Sequence, residues 1–152
     1  MAAGDVFKEF GMKVAKYTLK TNTGVTKGDV LAYDTDGWGP ADADASSGNK
    51  GPFVVALETV VAPGAGLQAS CKVLEEGVVE VSKVSGAINQ GAWVALSTTA
   101  GKVKAYANLD APATYAEADM QAELSKIEQR VGRCEKEAAS ADTTVLIRLL
   151  PF

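Results

Sequence analysis

Short apolar runs broken by glycine recur along the whole chain, and almost none is long enough for a helix. They fall at Val14 to Leu19, Asp29 to Tyr33, Phe53 to Glu58, Ser70 to Leu74, Val78 to Val84, Trp93 to Leu96, Val103 to Tyr106 and Thr143 to Leu150. Runs of four to eight residues bounded by turn formers read as strands. In the last of them Val145, Ile147 and Leu149 share one face and Thr144 and Arg148 the other, as a half-buried strand requires. Glu76-Gly77 and Thr99-Ala100-Gly101 lie between runs and are expected to be hairpin turns. The fold class is therefore mainly β, a small barrel or sandwich of six to nine strands. Its 152 residues suit one domain, and the 17 Val and 25 Ala among them favour strands packed through small side chains.

One segment breaks the pattern. Thr114-x-x-Glu117 has the form of a capping box, and Met120, Leu124, Ile127 and Val131 follow at helical spacing. A surface helix over about 114–130 is expected, inserted into the β domain. Its apolar stripe is narrow, so it is read as lying on the barrel surface or against a neighbouring subunit, with Met120, Leu124 and Ile127 as interface candidates.

A weak internal repeat suggests where that insertion falls. The segment from Gly28 to Gly37 aligns with Gly91 to Gly101, Val55 to Glu58 with Gly132 to Glu135, and Ser70 to Leu74 with Val145 to Leu149. Each copy would be a hairpin followed by two further strands, with the helix added in the second copy.

Charge is unevenly placed. Residues 1–28 hold five lysines against Asp5 and Glu9, a net +3 within an overall −4, so the remainder carries −7. A basic N-terminal stretch (1–28) on an acidic remainder is expected, with residues 1–13 as an arm, mobile when free and ordered on an acidic partner, and 14–152 as the single β domain. The arm's docking candidates, extending into the first strand, are Lys8, Lys13, Val14, Lys16, Tyr17 and Lys20. The acidic balance gives no global attraction to nucleic acid or anionic membrane, and neither is expected as a partner.

Chemistry is constrained by what is missing. The sequence contains no histidine, which removes His-based triads, imidazole metal ligands and imidazole proton shuttles. Cys71 and Cys134 match no redox or zinc spacing and are read as buried small hydrophobes. Gly64-Ala-Gly66-Leu-Gln-Ala69 has the letters of a dinucleotide fingerprint but precedes a strand, so it is read as a turn. The loop expected over Asp34 to Pro52 gathers Asp34, Asp36, Asp42 and Asp44, yet Trp38 and Ala45 occupy ligand positions an EF-hand needs. Trp38 in that loop is read either as packed by the loop's return or as an interface aromatic. The acidic runs Glu75-Glu76 and Glu135-x-Glu137 are expected to be solvated. No enzymatic activity, catalytic residue, cofactor or metal is expected. Met1 to Phe10 has no apolar signal-peptide core, and Val84 to Gly101, the longest uncharged stretch, is too polar to span a membrane.

The succession Gly24-Val-Thr-Lys-Gly-Asp-Val-Leu-Ala-Tyr33, Val54-Val-Ala-Leu-Glu58, Ala62-Pro-Gly-Ala-Gly66, Glu76-Gly-Val-Val-Glu-Val81, Ile88-Asn-Gln-Gly-Ala-Trp-Val94 and Val145-Leu-Ile-Arg-Leu149 resembles a family of phage capsid cement, or head decoration, proteins. The resemblance spans about residues 14–106 and 130–150. It implies a structural virion protein, made in the host cytoplasm, that binds the major capsid protein on the outer face of an icosahedral shell, commonly as a homotrimer. The alternative is a cellular β-barrel binding or assembly module, followed by a carboxylate-based hydrolase.

Overall fold

A computed structural model describes residues 2–43, 48–112 and 114–150. The chain is mainly β, with one helix. Its strands are β1 (Val6–Thr18), β2 (Val30–Asp34), β3 (Gly37–Pro40), β4 (Phe53–Ala56), β5 (Ser70–Ser82), β6 (Trp93–Leu96), β7 (Val103–Ala105), β8 (Arg130–Lys136) and β9 (Thr144–Leu149), with α1 (Glu117–Glu128) before β8. All strand ladders are antiparallel, and the sheet runs β3-β2-β4-β5-β9-β8-β6-β7, with β1 also on β5.

The central strand explains the topology. β5 pairs with β4 through Val73 and Leu74, and with β9 through Val78 to Ser82. The expected hairpin at Glu76-Gly77 is therefore absent, and two apolar runs form one strand. Gly77, at φ 137°, supplies the irregular backbone at the changeover, where only glycine is unstrained. Val78, Val79 and Val81 are all buried because layers lie on both sides of β5 there, which is why that run does not alternate.

The strands form two similar halves that share β5. Hairpin β2–β3, then β4 and the first part of β5, correspond to hairpin β6–β7, then β8 and β9. Parallel bridges close both halves, Leu19 to Trp38 in the first and Lys83 to Val103 in the second. Antiparallel bridges also match, Val25 to Val60 and Ile88 to Ala138. The pairing Val55 to Leu74 recurs as Gly132 to Leu149, as the sequence alignment requires. On the other edge the halves differ by one residue: Val30 faces Val55, but Trp93 faces Arg133. Because strand side chains alternate faces, that slip changes which side of the sheet a β8 residue occupies relative to β6.

Two apolar clusters hold the sheet. Leu19, Leu31, Val54, Ala56, Cys71 and Val73 fill the first half, while Val79, Ile88, Val94, Leu96, Val131 and Ile147 fill the second together with Val30, Val55 and Leu74 from the first. Both cysteines are buried as expected, and burial pushes the Cys71 thiol up to about 11. Burial also raises Cys134. Since the thiolate is the reactive species, a disulfide reagent at pH 8 should label neither thiol in the native protein and both after denaturation. Rapid native labelling would show that the sheet opens locally.

Several expectations are corrected. The boundary after residue 13 falls inside β1: Val6 faces Val79, Lys8 faces Val78, and the Gly4 amide donates to the Glu80 carbonyl. Residues 6–13 are thus sheet-paired rather than a separate arm, because β5 is long enough to template them. Register shifts between Lys8 and Val14 and a positive φ at Gly11 make this the irregular part of the strand. The 34–52 loop contains β3, formed because Tyr33 pairs with Trp38 across a tight turn. Asp44 lies outside the described residues. The helix is shorter than 114–130, and its N-cap is Ala116 without a side-chain bond. The Thr114 hydroxyl instead accepts from the Ala116 amide and donates to Asp119, so the capping box does not form.

Candidate interaction surface

The residues expected to dock a partner divide between the two faces of β1. Ala15, Tyr17 and then Leu19 turn toward the first-half core, as alternation requires. Val14 packs on the other cluster, opposite Leu74, while exposed Lys16 lies opposite Lys72. Lys8 lies opposite Val78 in the ladder.

Tyr17 and Lys13 converge on Glu75. The carboxylate is buried, accepts the Tyr17 hydroxyl on Oε1, and lies 3.0 Å from Lys13 Nζ through Oε2. The hydrogen bond to Glu75 raises Lys13 above the ordinary lysine range. Glu75 was expected to be solvated at a strand end. It is buried because β5 continues past it and because period-two alternation puts it on the same face as Cys71 and Val73.

Trp38 is half-buried on β3. Its ring stacks on Tyr17 at 4.7 Å and meets Tyr33 edge-on at 6.0 Å. Lys20 completes the strip: its amide donates to the Trp38 carbonyl and its Nζ lies 2.7 Å from Asp34 Oδ2. Asp36 accepts the amide and hydroxyl of Thr21. Asp34 and Asp36 are thus spent on local contacts, and both carboxyls lie below their ordinary value because of them. Tyr17, Trp38, Tyr33 and Lys20 form one strip along the seam between β1 and β3. Met120, Leu124 and Ile127 are elsewhere, on α1, with 45%, 56% and 37% of their surface exposed.

Along Val6–Thr18 the edge of β1 away from β5 carries no ladder among the described residues; the first bridge on that side is Leu19 to Trp38. An open strand edge is a template for an added strand.

Two buried polar groups escaped the sequence reading. Lys83, 3% exposed, sends its ammonium to the carbonyls of Asp142 at 2.8 Å, Val84 at 3.0 Å and Ser140 at 3.4 Å. Its place at the closing bridge matches that of Leu19 in the first half, a hint available only after alignment of the bridges. Glu80 is also buried, with one carboxylate oxygen lacking a partner among the described residues, and it lines an open pocket of about 260 Å³ with Lys136, Asp142 and Thr144. Desolvation raises its pKa against a hydrogen bond from Thr144. A carboxyl raised on folding contributes stability below its unfolded pKa and loses it as pH rises through the folded one. Glu80→Gln should therefore raise the melting temperature at pH 7, with the gain vanishing near pH 4. An equal gain at both pH values would show that packing, not ionisation, is responsible.

Among the described residues, no three His, Cys, Asp or Glu side chains converge as a metal site would require. No helix among them is long and apolar enough to cross a membrane. Set against known proteins, the chain matches no family model and no curated protein sequence.

Proposed function

We propose that this chain is a structural virion protein that binds the outer surface of an icosahedral phage or virus capsid and cements the shell, acting as a homotrimer without catalysis. The observation that carries the reading is the open edge of β1, along which exposed Lys16 stands on a body that is otherwise acidic. A capsid-protein segment added along that edge would gain main-chain hydrogen bonds, and Lys16 would favour an acidic one. Regular pairing of Val14 to Thr18 with β5 favours this role, since a preformed edge loses little entropy on docking. The stripe of Met120, Leu124 and Ile127 gives the trimer an apolar surface to bury.

The test is co-sedimentation with expanded shells assembled from the major capsid protein of the same genome. Binding should saturate and should weaken when Lys16→Glu is introduced into a protein whose melting temperature is unchanged. Light scattering in free solution should report three times the 15.7 kDa chain mass. A monomer that ignores shells would defeat the reading.

A further inference from the structure

All three arginines of the sequence, Arg130, Arg133 and Arg148, lie on one face of the second half. The ladders define two cross-strand rows there. In one, Trp93 faces Arg133, which faces Arg148, with Tyr106 bonded to Trp93 on the far side through its amide. In the other, Lys104 faces Ala95, which faces Arg130. Directly paired residues share a face, so four cations and two aromatic rings project together.

The arginines are held in place without being used up. Arg130 lies 4.5 Å and Arg133 4.8 Å from the centre of the Trp93 ring, one from each of two positions on β8. Arg133 donates through Nε and Nη2 to the Gly91 carbonyl, and Arg130 through Nε to the Ile127 carbonyl. Arg148 donates through Nε to Glu135, the one carboxylate on this stretch of β8. The Nη groups of Arg130 and Arg148 have no partner among the described residues. Arg133 and Arg148 are also like charges directly opposed, an arrangement that costs stability unless an anion lies between them. In the first half the pair aligned with Arg133 and Arg148, Ala56 and Val73, is apolar and buried. In the second half the equivalent pair is cationic, and both of its residues are exposed.

We infer that this face is a docking surface for an acidic segment of a partner protein, its carboxylates gripped by the forked guanidinium groups and its backbone resting on Trp93. Arginine and tryptophan are the residues that carry most energy at such interfaces, and the guanidinium fork matches a carboxylate in a way a lysine does not. A peptide fits better than a nucleic acid, since the surrounding body is acidic and would repel a long polyanion. The inference stands apart from the capsid reading, because its binding side chains lie on β6 to β9 with Tyr106 and not on β1 or the apolar stripe of α1.

The experiment reads Trp93 directly. Trp38→Phe leaves Trp93 as the sole tryptophan, and hexaglutamate peptide is titrated into that protein at low salt while emission is followed. A saturable change is expected. Affinity should fall by about tenfold or more in Arg133→Gln/Arg148→Gln, and also in Arg133→Lys/Arg148→Lys, which keeps the charge but loses the fork. Lack of a saturable change, or unaltered affinity in the glutamine pair, would overturn the inference. So would tighter binding of a single-stranded DNA oligonucleotide of matched charge, which would make the face a polyanion site.

Discussion

Replacing Lys83 with alanine should lower the melting temperature by roughly 6 to 12 °C, the equivalent of about 3 kcal/mol in a domain of this size. The ammonium satisfies the carbonyls of Val84, Ser140 and Asp142, drawing the end of β5 and the turn before β9 onto one point. Without it those acceptors lose their charged donor, and the removed stem leaves a cavity beside the bridge to Val103. Lys83→Met separates the two effects. It refills most of the cavity but leaves the carbonyls unpaired, so it should recover only part of the loss. A methionine variant as stable as the parent would mean that water or a shift of the 139–142 turn supplies the missing donors. Thermal unfolding with calorimetry at fixed pH is sufficient to decide.

An effect of similar size is expected from a single added methyl group. Gly132 sits where β8 crosses against β9, and a Cβ there would lie 2.2 Å from the Arg148 carbonyl oxygen and 3.0 Å from its carbon. Both are backbone atoms of a strand buried in the sheet, so neither can step aside as a side chain could. Gly132→Ala must push β8 from β9, weakening the pairs Gly132 to Leu149 and Arg133 to Arg148 and disturbing Val131 in the core. A cost of about 3 kcal/mol follows from overpacking of this kind. Gly39→Ala is the matched control, because the nearest atom to its Cβ is the flexible Lys20 Cδ at 3.1 Å. It should cost far less. Equal losses in the two variants would show that the close approach at Gly132 does not set the cost, since chain entropy alone favours alanine at both positions. The alanine at 132 should also alter Trp93 emission, since Arg133 is the next residue and stacks on that ring.

Much of the sheet was legible because the signal is local. Alternation and β-branched content place β2, β4, β6, β7 and β9 within a residue or two, and the Thr99-Ala100-Gly101 turn joins β6 to β7 as expected. The repeat alignment also places a strand at Gly132 to Glu135, within β8. β3 was missed because Gly37-Trp38-Gly39-Pro40 has the composition of a turn. Only pairing with β2 and packing of the Trp38 ring on Tyr17 make it a strand. The basic terminus was misread for the opposite reason: its charge suggests a solvated arm, while its partner, the length of β5, is not visible until Gly77 is known to continue the strand.

The sequence by itself determined the class of fold, the absence of imidazole chemistry, the burial of both cysteines and the existence of one helix. These depend on composition and on periods of two or four residues, and short-range sterics and side-chain chemistry set them. Tertiary structure alone decided which strands meet. It decided that β1 is paired on one edge and open on the other, that Glu75, Glu80 and Lys83 are buried, and that a one-residue slip between β6 and β8 gathers every arginine on one face with Trp93. The reason is that a ladder's register reflects the competition of whole strands for the same partners, and a shift of one residue, invisible in the run of apolar letters, exchanges inside for outside.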